Sequence, residues 1–358
     1  ETSTQDARLA ALNAFRNREL LRIGTRDMVG LTDSFETFEA LSVLAEAVHK
    51  TVYDSVYEDL TARRGLPRTE AGDVARFAVL GLGKLGGREL SFGSDLDLVF
   101  VYSDEGATDG REPVGNQQFF IDLAQQLVNG LGLSTPHGTL YQVDARLRPE
   151  GGSAMLALSY DAYDQYFIRR AATWERLALS RCRVVAGNAE FGGRLLARIE
   201  EFVLGDGLSD ADREELVNIR RRMAEQSRRQ PTTSLKTGRG GIVDIEFVVQ
   251  CLQIQHGRSM PGVRHPNTLM SLGRLAKEGC LPADHAESLR SALHFLRTLE
   301  KILRRHDERA RTRLPADPHA LAALARAAGF GDVARFQVAL DETMARTRGI
   351  FEIYLGKP

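Results

Sequence analysis

The chain has 358 residues, 27% of them charged and 43% hydrophobic, with a formal net charge of −1. This is an ordinary globular balance with room for two domains, and it supplies no global field to draw the protein to nucleic acid or to an anionic membrane. No apolar run approaches the roughly 18 residues of a membrane span and no signal peptide opens the chain, so the expected compartment is the cytoplasm.

Residues 5–65 carry a helical period: Leu20, Leu21 and Ile23, then Phe35, Phe38, Leu41, Leu44 and Val48 recur at helical spacing. Glu1–Ala7 reads as a domain edge rather than a natural beginning. LPRTEAGD (66–73) is a break. Three strands are expected next, in ARFAVLGLG, LDLVFVYS and TLYQVDARLRP. A helix over 115–133 separates the second from the third, marked by Phe119, Leu123, Leu127 and Leu131. From about 159 onward the pattern is almost wholly helical, punctuated by glycine and proline. The expected organisation is an N-terminal helical segment (1–73), a small core holding the strands (74–158) and a large helical domain (159–358).

Cys182, Cys251 and Cys280 lack metal-ligand spacing. Cys182 and Cys251 sit in apolar helical patterns and read as reduced core thiols. The basic runs Arg220–Arg222, Arg228–Arg229 and Arg304–Arg305 have acidic or helical neighbours and read as solvated helix faces. His137, beside Gly138, reads as a turn residue. Trp174, Leu177 and Arg181 fall on one helical face, which reads as a core helix with a buried ion pair.

The strongest chemical signal is GLGKLGGRELSFGSDLDLVFVYS (81–103). On a strand, Asp95 and Asp97 face the same way, while Leu96, Leu98 and Phe100 pack on the other side. Two carboxylates at the end of a buried strand repel each other and are costly to desolvate, and a divalent cation relieves both penalties. Gly81-x-Gly83-x-x-Gly86 is not a dinucleotide fingerprint, because the next strand begins at Leu96, too soon for a crossover helix. It is not a Walker A loop either, since Lys84 does not follow the second glycine with Ser or Thr after it. What remains is a short glycine-rich turn leading into Ser94-Asp95-Leu96-Asp97, the arrangement that resembles the DNA polymerase β-like nucleotidyltransferase superfamily. In such a site Ser94 and the turn backbone hold the β/γ-phosphates, and Lys84 neutralises them as a point charge.

The third strand adds Gln142, Asp144, Arg146 and Arg148 on one face. If the strands are neighbours, Asp144 joins the first pair, and three acids suit two-metal phosphoryl-type chemistry. Arg146 and Arg148 suit bidentate binding of phosphate oxygens. The blander reading is three acids at solvent-exposed strand ends, which fits poorly with the apolar flanks of Asp97. Asp-x-Asp by itself is a weak signal, since surface turns and glycosyltransferase metal motifs share it. In GRGGIVDIEF, Ile242, Ile245, Val249 and Leu252 form an apolar stripe. Asp244 and Glu246 lie in the first turns of that helix, where its dipole favours negative charge. That charge placement explains both acids without catalysis.

Taken in order, these segments resemble the bifunctional glutamine synthetase adenylyltransferase family, also called glutamate–ammonia-ligase adenylyltransferase. The resemblance is carried by residues 81–103, by YQVDARLRPEGG (141–152), by TWERLALSRCRVVAG (173–187) and by KTGRGGIVDIEF (236–247). It extends to RNRELLRIGTRDMVG (16–30) and FLRTLEKIL (295–303). That family carries two homologous nucleotidyltransferase halves, and this chain contains one. The resemblance implies an α+β fold, a polymerase β-like core with a small mixed sheet flanked by helices.

It also implies Asp95, Asp97 and Asp144 as Mg²⁺ ligands and catalytic groups. Gly83, Lys84, Gly86 and Ser94 become nucleotide contacts, with Arg146 and Arg148 on phosphate. It is likewise the resemblance that implies Asp244 or Glu246 lines the cleft. One half of such enzymes transfers AMP from ATP to a tyrosine of glutamine synthetase; the other removes it with phosphate, releasing ADP. GSDLDL and GGIVDIEF resemble the transferring half, whereas RELSF and ATDG (107–110) are also at home in the removing half. A non-catalytic half that senses nucleotide or effector is the third reading. The expected partners are glutamine synthetase, ATP or phosphate and ADP, and the PII signalling protein, with neither nucleic acid nor membrane.

Overall fold

Asp33 starts the second helix by a full capping box. Its carboxylate accepts from Phe35 N at 2.7 Å and Glu36 N at 2.8 Å, and Glu36 Oε2 accepts from Asp33 N at 2.8 Å. The computed structural model describes residues 2–136, 138–149, 151, 155–305 and 312–356; His137, expected in a turn, lies outside them. Helices α1 (Thr2–Met28) and α2 (Ser34–Arg64) occupy the stretch whose apolar residues recur at helical spacing. The chain falls into two compact units. One comprises Glu1–Leu90, Ser94–Ala172 and Arg181–Phe202; the other comprises Ser91–Gly93, Thr173–Ser180 and Val203–Pro358.

The first unit is built on a mixed five-stranded sheet in the order β5-β3-β2-β7, with β6 also on β3. Its strands are β2 (Phe77–Gly81), β3 (Leu96–Tyr102), β5 (Val143–Asp144), β6 (Ala157–Ser159) and β7 (Arg183–Gly187). Strand β2 is antiparallel to both β3 and β7, whereas β5 and β6 run parallel to β3. Both faces of β2 are buried, which its unbroken apolar run FAVLG dictates. Aromatic side chains close one face: Phe77 stacks on Phe120 of helix α4 (Asn116–Gly132) at 5.2 Å, on Phe100 at 6.2 Å and on Tyr53 of α2 at 6.1 Å. A small ribbon, β1 (Pro67–Thr69) with β4 (Gly106–Thr108), completes the strands. The expected α+β class, with a small mixed sheet and flanking helices, is the fold observed.

Four local expectations need correction. Residues 66–73 contain strand β1, too short to announce itself by alternation. The third expected strand shrinks to Val143–Asp144, because Arg146–Arg148 turn away. Segment 183–187, taken as part of a helical region, is an edge strand of the sheet. Two of the arginines read as solvated are buried instead: Arg220 and Arg304 are 0% and 6% exposed.

The second unit contains helices α6 (Thr173–Leu179), α8 (Asp210–Arg228), α9 (Ile242–His256), α10 (Thr268–Lys277), α11 (Ala283–Arg305), α12 (Pro318–Ala327) and α13 (Val333–Leu355). Helix α5 (Tyr160–Arg169) follows β6, and α7 (Ala189–Leu204) runs between β7 and α8. Helix α9 is the hub, packed by α6, α10, α11 and α13. Instead of one apolar stripe it buries Ile242, Val243, Ile245, Val248, Val249, Cys251, Leu252 and Ile254 around its circumference. Trp174 is 40% exposed, so α6 does not bury its tryptophan as expected, although Glu175 and Leu177 are buried. Among the described residues no helix is long and apolar enough to cross a membrane.

Candidate active site

The site begins where β2 ends. The chain leaves Gly81, and Leu82 N donates to Asp97 O at 3.0 Å, holding the turn beside β3. One short helix follows, α3 (Gly83–Gly86). Gly83 has φ +54, a left-handed conformation that glycine adopts without penalty, and it backs directly onto the Asp97 carboxylate. Lys84 is half-buried on this helix. Gly86 is enclosed: its amide donates to Leu82 O at 2.9 Å and its carbonyl accepts from Arg183 Nε at 2.6 Å. Both backbone groups of Gly86 are thus engaged in holding the turn.

The carboxylates follow. Strand β3 begins at Leu96, so Asp95 lies one position before it and is exposed, while Asp97 is half-buried within it. Asp97 and Asp144 are register partners on parallel strands. Paired positions on adjacent strands put their side chains on one face, about 4.8 Å apart along the ladder. The neighbourhood of strands that the sequence could state only as a condition is therefore real. Ser94, buried, immediately precedes Asp95.

Arg146 organises the charge. Its Nε lies 2.9 and 3.0 Å from the two carboxylate oxygens of Asp144, and its side chain is otherwise exposed. Those hydrogen bonds, with a backbone bond from Arg146 N, hold the Asp144 carboxyl below the usual carboxylate range. Arg146 in turn feels Asp144 first and then the charges of Asp95 and Asp97, all of which stabilise its proton. Arg148, half-buried, hydrogen-bonds Ala145 O.

A divalent cation suits part of this donor set. Mg²⁺ is commonly held by one or two carboxylates together with substrate phosphates, and Asp97 with Asp144 offers such a pair on one face. The third acid is not gathered in. Among the described residues no three His, Cys, Asp or Glu side chains form a metal-holding group, and the Asp144 carboxylate is engaged by Arg146.

A clamp that sequence reasoning missed fixes the turn from behind. Arg183 of β7 donates to Gly86 O and to Leu85 O (3.0 Å), and it also pairs with Glu46 of α2. Glu46 Oε1 and Oε2 also accept from Arg88 Nε and Nη2 at 3.2 and 3.1 Å. Burial opposes ionisation of Glu46, but hydrogen bonds from Arg88 and Arg183 prevail and lower its pKa. Beneath them Glu89 and Arg181 form a buried ion pair at 2.8 Å. Glu46 lies on a helix far away in sequence, so no local pattern announces it.

Asp244 and Glu246 belong to the second unit. Asp244 is 0% exposed; it pairs with buried Arg220, accepts from Gly240 N at 2.6 Å and lies 3.6 Å from Arg348 Nη1. Arg220 also binds the carbonyls of Thr237 (3.1 Å) and Gly238 (2.6 Å). The pair ties the GRGG loop to α8 and α9. Glu246 is largely buried and pairs with Arg297 at 2.9 Å.

Comparison with known proteins bears on this geometry. The profile of the glutamate-ammonia ligase adenylyltransferase family matches residues 1–198, more than half of the chain, including the turn, both strand carboxylates and β7. The chain belongs to that family. Residues 213–355 match the GlnD PII-uridylyltransferase profile. Bifunctional glutamine synthetase adenylyltransferase/adenylyl-removing enzymes are among its relatives. That of Aromatoleum aromaticum is 37% identical over 99% of this chain and 38% of the relative. Those of Alteromonas mediterranea and Methylococcus capsulatus are 35% and 34% identical, over 97% and 100% of this chain and 35% and 38% of theirs. The chain thus spans a little over a third of the length of the curated adenylyltransferase relatives it matches.

Proposed function

We propose that the chain carries one nucleotidyltransferase unit that transfers AMP from ATP to a tyrosine of glutamine synthetase. The observation that carries this reading is the Asp97–Asp144 register pair, set against the left-handed glycine turn at Gly83. Asp97 and Asp144 would hold Mg²⁺, with Asp95 joining as the triphosphate enters. Bound there, the ion would neutralise phosphate charge and lower the pKa of a coordinated nucleophile.

The chain's own groups do the rest. A tyrosine hydroxyl titrates near 10 and is a poor nucleophile at neutral pH. Asp144, an ionised carboxylate on the shared face, accepts its proton as the oxygen attacks the α-phosphorus in line and pyrophosphate departs. Such transfer is worth about 10²–10⁴-fold. For this Arg146 leaves Asp144 and turns its exposed fork to phosphate oxygens. Lys84 and Ser94 hold the β/γ-phosphates. The helical unit offers the surface that docks glutamine synthetase, and the PII-uridylyltransferase match supports placing PII-linked control there.

One experiment separates the readings. The purified chain is given unmodified glutamine synthetase with ATP and Mg²⁺, or adenylylated glutamine synthetase with phosphate, and the product is followed by intact mass. Gain of one adenylyl group in the first arm is expected. Loss of it in the second arm assigns the removing half. Inactivity in both arms, under conditions where a full-length relative acts, leaves the sensor reading.

A further inference from the structure

One arginine from each basic run of α8, Arg221 and Arg228, borders a cavity in the helical unit. A cavity of about 560 Å³ lies among the C-terminal turns of α8, the 230–239 loop and α13. That volume falls within the range of small-molecule sites. Arg221 and Arg228 of α8 line it, with Arg239 of the loop and Arg348 of α13; the carboxylates in its lining are those of Glu225 and Asp341. Of the four guanidiniums, those of Arg239 and Arg348 are met from behind the wall by Glu352 and Asp244, while Arg221 and Arg228 line the cavity beside Glu225 and Asp341.

Arg348 is fixed before any ligand arrives. It is 8% exposed, its Nε lies 2.9 Å from Glu352 Oε1, and its guanidinium sits 4.4 Å from the centre of the Phe351 ring. Arg239 Nη2 is 2.9 Å from the same Glu352 oxygen, so one carboxylate holds both guanidiniums near the cavity. Planar guanidinium forks match the oxygens of carboxylate and phosphate, and preorganised ones lose little freedom on binding. Met344 contributes an apolar stretch of wall, which suits a ligand with a short carbon body between charged ends.

We propose that this cavity binds a small dianion whose charge is carried by carboxylate or phosphate oxygens. It stands apart from the nucleotide chemistry of the first unit and does not depend on it. The test is isothermal titration of the whole 358-residue chain with succinate and, separately, with inorganic phosphate; neutral succinamide serves as control. Saturable binding of at least one anion is expected, weakened at least tenfold in R228A/R239A and unchanged in D97N. The anion that binds identifies the carboxylate or the phosphate source. Millimolar anion without saturable binding, affinity that survives R228A/R239A, or affinity that disappears in D97N would each overturn the proposal. If the double variant loses its helical circular dichroism, R221A takes its place under the same criterion.

Discussion

Gly83 and Asp97 share a space that leaves no room for a β-carbon: one built on Gly83 would stand 2.4 Å from Asp97 Oδ2. The left-handed backbone at φ +54 adds a conformational penalty of roughly 1–2 kcal/mol for any L side chain. Gly83→Ala should therefore cost about that much stability and also push the Asp97 carboxylate aside. Thermal unfolding with a parallel adenylyl-transfer assay checks this. Full transfer activity in a folded Gly83→Ala variant would show that the turn does not set the position of Asp97.

The paired carboxylates and the arginine beside them should fail in different ways when replaced. Asp97→Asn and Asp144→Asn are expected to lower turnover by about 10²-fold or more, the scale of a lost proton acceptor or charge-stabilising group. Arg146→Ala, which frees Asp144 while removing a phosphate ligand, should mainly raise the KM for ATP. A kinetic comparison of the three variants at saturating Mg²⁺ is decisive. Equal effects on kcat from all three would refute the division of labour.

Arg183→Lys tests the clamp behind the turn. A lysine cannot hold the carbonyls of Leu85 and Gly86 and the Glu46 carboxylate together as the guanidinium fork does. The expected result is a several-fold higher KM for ATP with circular dichroism unchanged. Glu46→Gln, which keeps hydrogen-bond acceptance but drops the charge, should show the same effect more weakly.

His49 makes the first unit acid-sensitive. It is fully buried on α2, and neither ring nitrogen has a hydrogen-bond partner among the described residues. Desolvation lowers its pKa from 6.5 to about 4, against the opposing pull of the Glu46 and Asp54 charges. The unfolded chain therefore binds a proton that the folded chain refuses between those values, so stability is complete above pH 6.5 and falls as pH drops towards 4. The loss is about 3 kcal/mol in that window. Chemical denaturation across roughly pH 4–7 should show it, with a shallower slope in His49→Leu.

The Arg220–Asp244 pair should matter for stability alone. Removing one partner of a buried pair leaves the other uncompensated, at roughly 3–5 kcal/mol. Asp244→Ala should unfold at correspondingly lower urea concentration. Any residual adenylyl transfer below its midpoint should keep its KM for ATP; a selective change in that KM would place Asp244 in the cleft.

Much of this was readable from residue order. The alternation in LDLVF and the apolar flanks of Asp97 made β3 and its polar edge visible, and the four-residue steps of Phe119, Leu123, Leu127 and Leu131 made α4 visible. The pairing of Asp97 with Asp144 was only conditional, because a two-residue strand carries no period of its own. RVVAG was hidden because five residues between helices look the same whether they continue one or join a sheet. Arg220 resembled a surface charge because its burial depends on Asp244 and the carbonyls of a loop that sequence cannot fold. The Glu46 clamp left no trace for the same reason: its members meet only in three dimensions.

The edge position of β7 has a consequence for how the protein is made. Strand β2 is synthesised about a hundred residues before the segment that covers its outer edge. Until then, its backbone amides and carbonyls are open to pairing with any passing chain. A polypeptide ending before residue 183 would leave that edge of a buried, apolar strand unpaired and open to association.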